Sequence, residues 1–123
     1  SMHRELQVAA LIHKIRNYDA QAVGARDALR LATVNGAKAL RWDDAIGSIA
    51  VGKRADLVLY KLDQPWNVPH HDAVSNIAYA AQQSDIDSVF VQGDCLCKHG
   101  EYQTLDVERI IAEAERRAKR LVG

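Results

Sequence analysis

Residues 46–62 read IGSIAVGKRADLVLYKL, and this stretch decides how the rest of the chain can be arranged. Residues 57–60 form a continuous β-prone run that is too short for a helix, which predicts a buried strand. Gly52 supplies the backbone freedom of a tight turn, and Lys53 and Arg54 are expected to keep that turn in solvent. Helical patterns precede this stretch and strand patterns follow it, so it divides the chain into a helical part and a sheet part.

The chain before this stretch has the periodicity of short helices. A second helix is predicted over 26–33, after a first one over 4–16. Asn35 is predicted to cap the N-terminus of a third helix that ends at Leu40, since its side chain can accept from free amides of the first turn. The first helix is predicted because four aliphatic residues recur at the spacing of one helix face: Val8, Leu11, Ile12 and Ile15.

The chain after the stretch alternates strand and helix patterns. Asp72 is predicted to cap a helix over 72–81, which separates the first strand from a second one over 86–92. The dipeptide Gly93-Asp94 predicts the two-residue turn of a hairpin.

The hairpin is predicted to return along residues 95–99 and to be followed by a third short strand over 101–103. From residue 104 the pattern becomes helical again, and a helix is predicted up to residue 121. Together these elements predict a single α+β domain over residues 1–123, with short helices first, a small antiparallel sheet next and a helix at the end.

The composition is that of an ordinary globular chain. Hydrophobic residues make up 48% and charged residues 26% of the sequence. Sixteen Lys and Arg balance sixteen Asp and Glu, so neither a nucleic acid nor a membrane is expected as a partner. No apolar run approaches the roughly 18 residues of a membrane span, and no signal-peptide pattern opens the chain. Two cysteines form no disulfide framework, and a cytoplasmic location is expected.

Five histidines are the first candidates for a metal site. His3 and His13 are poorly spaced for one helix face, whereas His70 and His71 are neighbours whose side chains normally diverge. His99 follows a predicted strand. Protein zinc sites combine such ligands at characteristic spacings that this sequence lacks. No metal-binding residue is therefore predicted.

Cys95 and Cys97 form the other candidate ligand pair. Their spacing on a strand predicts that both side chains lie on the same face. Two thiolates do not complete a tetrahedral site without further ligands. The pair is therefore interpreted as two small apolar residues of a half-buried hairpin.

Paired carboxylates could serve acid–base chemistry, but each pair has a simpler interpretation. Asp43-Asp44 and Asp85-x-Asp87 border predicted turns or strand entries. Aspartates at such positions commonly cap a turn or lie in solvent. Neither pair is predicted to be catalytic.

The tryptophans and the basic pair also have structural interpretations. Trp42 and Trp66 could line a pocket but are interpreted as anchors that pack near a helix end and in a loop. Lys53 and Arg54 could contact a phosphate, although the Gly-x-x-x-x-Gly-Lys-Ser/Thr pattern is absent. No Gly-x-Ser-x-Gly pattern marks a nucleophile either. The sequence therefore predicts no catalytic residue and no cofactor-binding residue.

Several strings of this sequence together resemble the C-terminal end of the amidohydrolase superfamily. The resemblance covers the chain from about Glu5 onward, and the most similar branch contains methylthioadenosine/S-adenosylhomocysteine deaminases, guanine deaminase and the N-ethylammeline and atrazine chlorohydrolases. The strings are Ala32-Thr33-Val34-Asn35-Gly36-Ala37-Lys38-Ala39-Leu40, Gly47-Ser48-Ile49, Gly52-Lys53, Ala55-Asp56-Leu57-Val58, Pro69-His70-His71-Asp72, Tyr79-Ala80-Ala81 and Val89-Phe90-Val91-Gln92-Gly93.

Enzymes of this superfamily combine a (β/α)8 barrel with a small β-sandwich built from both chain ends, and their active site lies at the C-terminal ends of the barrel strands. The resemblance implies that residues 4–41 are helices from the end of the barrel. Residues 46–103 would be sandwich strands with an inserted helix at 72–81, and residues 104–121 would be the C-terminal helix.

The resemblance also implies metal chemistry that this chain does not carry by itself. The superfamily uses a His-x-His pair, two later histidines, a glutamate and an aspartate after the last barrel strand, and its zinc or iron activates water. This chain is similar only to the region after that aspartate, so none of these positions can be assigned here. The resemblance implies the C-terminal portion of an aminohydrolase or chlorohydrolase acting on purine- or triazine-like rings. Alone, it is expected to be inactive and without a cofactor.

Two alternatives to an enzyme portion remain open. The chain could be a small stand-alone assembly or binding module, or a subunit that completes a barrel supplied by another chain. In each case some apolar side chains of the first helices would lack neighbours. Exposed apolar patches drive association, so a homo-oligomer is expected. The side chains concerned include Leu6, Leu11, Ile15 and Leu29.

Overall fold

The helical part comes first in the chain. The structure is a computed structural model and describes residues 1–122. Helix α1 spans Met2–Asn17. A second helical segment consists of α2 (Ala25–Arg30), a π-helical turn (Leu31–Asn35) and α3 (Gly36–Ala39). The first two predicted helices therefore lie where the periodicity placed them.

The third predicted helix is not a separate element. The backbone of Asn35 is helical, with φ −72° and ψ −37°, and its side chain makes no capping hydrogen bond. A residue that caps a helix N-terminus normally has an extended backbone, so the capping prediction for Asn35 was wrong. The chain instead continues from α2 into α3 through the π-helical turn, in which the hydroxyl of Thr33 donates to the carbonyl of Leu29.

Helix α1 carries apolar side chains on two sides. Its buried residues are His3, Leu6 and Ala10. At about 100° per residue, the aliphatic residues that predicted the helix lie on the nearly opposite side. We call these four residues the α1 stripe, and all of them are exposed: Val8, Leu11, Ile12 and Ile15.

The exposure predicted for apolar residues of the first helices holds in part. Leu11 and Ile15 are exposed, as predicted. Leu6 is buried and Leu29 is half-buried, because both pack into the contact between the helices. For Leu6 the prediction of exposure was therefore wrong.

The buried core lies between the helices and consists mostly of small residues. Leu6 and Ala10 of α1 pack against Ala28 of α2 and against Ala78 of α4, which spans Ala73–Tyr79. Side-chain size at a contact sets the distance between helix axes, so the alanines let α1, α2 and α4 approach closely.

Helix α4 begins as predicted. The Asp72 carboxylate accepts hydrogen bonds from the amides of Val74 and Ser75 and from the hydroxyl of Ser75. These bonds satisfy amides that have no partner within the helix. They also lower the pKa of Asp72, and Arg26 adds a smaller effect in the same direction. The helix therefore starts at the residue that the sequence indicated.

The sheet follows in chain order. Strands β1 (Leu57–Tyr60), β2 (Ile86–Val91), β3 (Asp94–Lys98) and β4 (Glu101–Tyr102) are antiparallel neighbours in the order β1-β2-β3-β4. This arrangement confirms the strand predicted over residues 57–60, the hairpin of β2 and β3, and the short strand that follows it. Together with the helices it confirms the α+β class.

The hairpin turn lies one residue earlier than predicted. Val91 pairs with Asp94, so the turn residues are Gln92 and Gly93. Their φ angles are 53° and 91°, and positive φ at both central positions is the signature of a type I′ turn. Asp94 is therefore the first residue of β3 rather than part of the turn.

Strand β1 is less buried than predicted. Val58 and Leu59 are each about half exposed. Successive strand residues point to opposite faces of a sheet, so neither face of the sheet is fully covered at this strand by residues 1–122. The prediction of a buried strand was correct for the element and wrong for its burial.

The last helix, α5, spans Val107–Val122, as the pattern predicted. None of its residues is buried, and its apolar side is exposed at Ile110, Ile111 and Leu121. Within the described chain, no helix has both the length and the apolar character that a membrane crossing requires.

Candidate functional site

A buried polar cluster joins α1 to the sheet. His3 lies in the first turn of α1, and its Nε2 is 2.8 Å from the carbonyl oxygen of Ala81. A carbonyl only accepts, so Nε2 carries the proton. Nδ1 is 3.1 Å from the hydroxyl of Tyr60 in β1 and accepts from it when the ring is neutral. The amide of Gln7 donates to the same Ala81 carbonyl over 2.7 Å.

Asp85 is the second centre of this cluster. It is buried, and its Oδ2 accepts from Trp66 Nε1 and Asn67 Nδ2 at 2.8 Å and from the Gln82 amide at 2.9 Å. Burial by itself raises the pKa of a carboxyl. The hydrogen bonds and the nearby His3 outweigh burial and lower the pKa of Asp85. Asp85 is therefore a carboxylate that holds two turns together.

The groups of this cluster are engaged with one another, except for the buried Oδ1 of Asn67, which has no hydrogen-bond partner among the described residues. Both ring nitrogens of His3 have partners, and burial raises the pKa of Tyr60, which keeps its hydroxyl protonated. A general base needs a free acceptor within reach of a substrate, and the His3 ring offers none. The arrangement fastens α1 and β1 to the turns at 65–67 and 82–85. The cluster therefore stabilises the fold.

The other histidines do not converge on one site. His13 is half-buried on α1, and His70 and His71 are exposed. His99 Nδ1 lies 2.7 Å from Asp87 Oδ1. Across the described part of the chain, no three His, Cys, Asp or Glu side chains come together where they could hold a metal ion. Protein zinc sites use three or four such ligands, so this chain's residues do not fit the metal centre that the resemblance implies.

The two cysteines lie on opposite faces of the sheet. Cys97 pairs with Val89 and Cys95 pairs with Phe90, because Leu96 is an extra residue that forms a bulge in β3. Consecutive residues of β2 point to opposite faces, and cross-strand partners share a face. The prediction that the two thiols share a face was therefore wrong. Both cysteines are free and half-buried.

Lys53 closes the loop that leads into β1. Its ammonium donates to the carbonyls of Asp43 at 2.7 Å and Ile46 at 3.3 Å and to the hydroxyl of Ser48 at 2.8 Å. An ammonium has three donors, and here each of them has an acceptor. The sequence suggested that Lys53 lies in solvent, and this prediction was wrong. Its donors are occupied by these three oxygens and are not available to a phosphate.

Gly47 lets the same loop approach the helical segment. Its φ is +89°, and a Cβ at this position would lie 2.6 Å from the Cβ of Ala37 and 3.2 Å from the carbonyl oxygen of Thr33. Gly52, at φ +87°, has no atom within 4 Å of such a Cβ. Gly47 is thus needed for its backbone angle and for contact, whereas Gly52 is needed for its angle alone.

The tryptophans each contact a specific partner, but both are only about half buried. The guanidinium of Arg54 lies over the ring of Trp42, 5.0 Å from its centroid, in a cation–π contact. Trp66 donates its ring N–H to Asp85.

The paired aspartates separate into different environments. Asp85 caps a short turn, as its position suggested, and is buried. Asp87 accepts from Ser88 and contacts His99 at the sheet surface, and these hydrogen bonds lower its pKa. Asp44 is exposed. Asp85 and Asp87 therefore have separate hydrogen-bond partners.

The residues that join His3 and Asp85 to the sheet and the turns are not recognisable from the sequence. Tyr60 is 57 residues from His3 in the chain, and Asn67 is 18 residues from Asp85. No local spacing marks such pairs. The one local signal was Gln82, which lies three residues before Asp85 and forms a capping box with it.

Comparison with known proteins identifies the family. A family profile described as "Amidohydrolase family" matches residues 1–96. The chain is 49% identical over 122 residues to the 5-methylthioadenosine/S-adenosylhomocysteine deaminase of Thermoanaerobacter pseudethanolicus. The aligned region covers 99% of this chain and 28% of that protein. The chain thus spans less than a third of the length of this relative.

Solved structures are similar in fold over nearly the whole chain. A zinc-bound adenosine deaminase from Xanthomonas campestris superposes with a TM-score of 0.92 at 36% identity, covering 97% of this chain and 27% of that one. A zinc complex of atrazine chlorohydrolase from Arthrobacter aurescens superposes with a TM-score of 0.83 at 28% identity, covering 93% and 25%. With the profile covering most of its length, this chain belongs to the amidohydrolase family.

Proposed function

We propose that this chain is the C-terminal scaffold portion of a metal-dependent hydrolase that removes an amino group from a purine-like ring. The observation that carries this proposal is the 49% identity to a 5-methylthioadenosine/S-adenosylhomocysteine deaminase over 99% of the chain. Removal of chloride from a triazine-like ring is the less favoured chemistry, because the identity to the atrazine chlorohydrolase is 28%.

In this proposal the metal ligands and the proton-transfer groups belong to polypeptide outside this sequence. The residues described here lack a ligand set for zinc or iron, and a water-activating site cannot operate without its ligands. The chain would supply structure: a helical unit and a sheet locked together by His3 and Asp85. We expect the chain alone to bind no metal tightly and to be inactive.

A chimera tests this proposal. The 122 matched residues of the Thermoanaerobacter deaminase are replaced by the corresponding residues of this chain. Zinc content and ammonia release from 5-methylthioadenosine and S-adenosylhomocysteine are then measured beside the parent enzyme and the isolated chain. We expect a zinc-loaded, active chimera and an inactive isolated chain. A chimera that neither loads zinc nor releases ammonia contradicts the proposal, as does stoichiometric zinc with turnover in the isolated chain.

The exposed apolar residues of α1 favour a second candidate. The chain could be a separate subunit that completes a barrel provided by another polypeptide. Co-expression with the remainder of the Thermoanaerobacter deaminase distinguishes the two, since a separate subunit should restore activity without a covalent link. We also propose a cytoplasmic location, since both cysteines are free thiols and free thiols persist in reducing compartments.

A further inference from the structure

Helix α5 is amphipathic, and residues 1–122 leave its apolar side uncovered. None of its residues is buried, and Ile111 and Leu121 are 54% and 87% exposed. The family profile ends at residue 96, so α5 lies outside the part of the chain that the profile matches. The apolar residues recur every three or four positions, which is the spacing of a seam between paired helices. We call them the α5 seam: Val107, Ile110, Ile111, Ala114, Ala118 and Leu121.

The side chains of the α5 seam change in size along the helix. Three β-branched residues come first, and Ala114 and Ala118 follow them toward the C-terminus. Two copies of α5 in parallel would place large side chains against large ones and alanines against alanines, whereas the distance between two helix axes depends on the side chains in contact. Two antiparallel copies place large side chains against alanines, so the whole seam can close at one distance.

The charges of α5 are also ordered along the helix. The Glu113 carboxylate already contacts Arg116 and Arg117 of the same helix. Four further charged side chains of α5 form no salt bridge within residues 1–122, and the two acidic ones precede the two basic ones: Glu108, Glu115, Lys119 and Arg120. An antiparallel copy brings the acidic part of one helix beside the basic part of the other, whereas a parallel copy sets like charges side by side.

We propose that α5 is an interaction surface for a second copy of this chain, which binds through its own α5 in an antiparallel pair. The copy is the partner that matches the α5 seam in both side-chain size and charge. A two-fold pair uses the same surface on both molecules, so no other surface is needed. One pair of helices is smaller than the interface of a permanent dimer, and the dimer should therefore exchange with monomer. The remaining polypeptide of the proposed hydrolase is the competing occupant.

Charge variants of α5 test both the partner and the orientation. Glu108→Lys/Glu115→Lys makes all four unpaired positions basic, and Lys119→Glu/Arg120→Glu makes all four acidic. Each variant should dimerise about tenfold more weakly than the original chain or worse, because like charges then face each other. An equimolar mixture of the two variants should restore the dimer, since opposite charges face each other in the mixed pair. Sedimentation equilibrium of the isolated chain measures these affinities.

Matched controls separate the α5 seam from general effects of charge and of folding. Asp44→Lys/Glu101→Lys makes the same charge change at exposed positions outside α5, and it should leave the affinity unchanged. Ile111→Ser alters the seam without altering charge and should weaken the dimer, whereas Ala112→Ser, on the opposite side of the helix, should not. Circular dichroism verifies that each variant keeps its helix content.

The outcomes decide between the possible occupants. Loss in both charge variants, recovery in their mixture and an unchanged control support the proposal. A monomeric original chain overturns it, as does association that is equally strong in every variant, for example through the α1 stripe. The chimera is measured in the same way, with further polypeptide available to cover α5. An active chimera whose mass does not respond to the charge variants overturns the proposal and leaves the proposed function intact.

Discussion

The ring N–H of Trp66 donates a 2.8 Å hydrogen bond to Oδ2 of Asp85, a residue 19 positions later in the chain. The same oxygen accepts from Asn67 and from the amide of Gln82. One buried carboxylate therefore connects the turn before α4 to the turn after it. Stability should depend on this single oxygen more than on any exposed acidic residue.

Replacing Asp85 by Asn should destabilise the fold. The substitution removes the negative charge, and the neutral amide oxygen that takes the place of Oδ2 is a weaker acceptor for the three donors that converge there. Hydrogen bonds to charged groups contribute about 1.5–3 kcal/mol each, and we expect an overall loss of about 2–4 kcal/mol in the free energy of unfolding. Urea denaturation measures the loss. The control is Asp44→Asn at an exposed position, and equal midpoints for the two variants would contradict the prediction.

The contribution of Asp85 should disappear in acid. Its pKa in the folded chain lies below the ordinary value, so the carboxylate stabilises the fold above the unfolded pKa of about 4. This stability is lost as the pH falls from there through the lower, folded pKa. The difference in unfolding free energy between the original chain and Asp85→Asn should therefore be full at neutral pH and shrink progressively below about pH 4. A difference that is constant across this range would show that the charge is unimportant.

Gly47→Ala should destabilise the fold more than Gly52→Ala. Both glycines have φ near +90°, and an L-residue in the left-handed region costs about 1–2 kcal/mol. Only at Gly47 does the new Cβ meet atoms of Ala37 and Thr33, and such overpacking adds about 1–3 kcal/mol. Thermal or urea unfolding of the two variants isolates the contact. Equal losses would mean that the loop does not lie against the helical segment.

Lys53→Met should loosen the loop that leads into β1. The three oxygens that accept from the ammonium lose their donor, and we expect a loss of about 1–2 kcal/mol together with faster proteolytic cleavage within residues 43–53. Lys38→Met, at an exposed position on α3, is the matched control. If both variants resist protease as well as the original chain, the ammonium does not hold the loop.

The isolated chain should self-associate. Its α1 stripe is exposed, and the apolar side of α5 is exposed as well, so association removes apolar surface from water. Light scattering at increasing concentration should detect dimers or larger species, and Leu11→Asp with Ile15→Asp should reduce them. A monomer that persists at high concentration would count against this expectation.

The helices and strands could be read from the sequence because their signals are local. The run at 57–60, the turn before β3 and the cap at Asp72 each depend on neighbouring residues. The burial of α1 could not be read in the same way. Periodicity identified its most aliphatic side, but the side buried within this chain is the one with His3, Leu6 and Ala10, since small residues allow close contact between helices.

The remaining differences depend on distant contacts or on a single inserted residue. The bulge at Leu96 reversed the expected face of one cysteine, although the strand itself was predicted correctly. Lys53 was expected in solvent because its neighbours are polar. Its ammonium instead donates hydrogen bonds to carbonyls up to ten residues earlier in the chain.

The bulge in β3 has a consequence for oxidation. Cys95 and Cys97 point away from each other, and a disulfide requires their Cβ atoms to converge. Air or peroxide should therefore cross-link separate molecules before it closes a ring within one. The two thiols report on different sides of the sheet, so the cysteine found in such a cross-linked dimer would reveal which side the two molecules share.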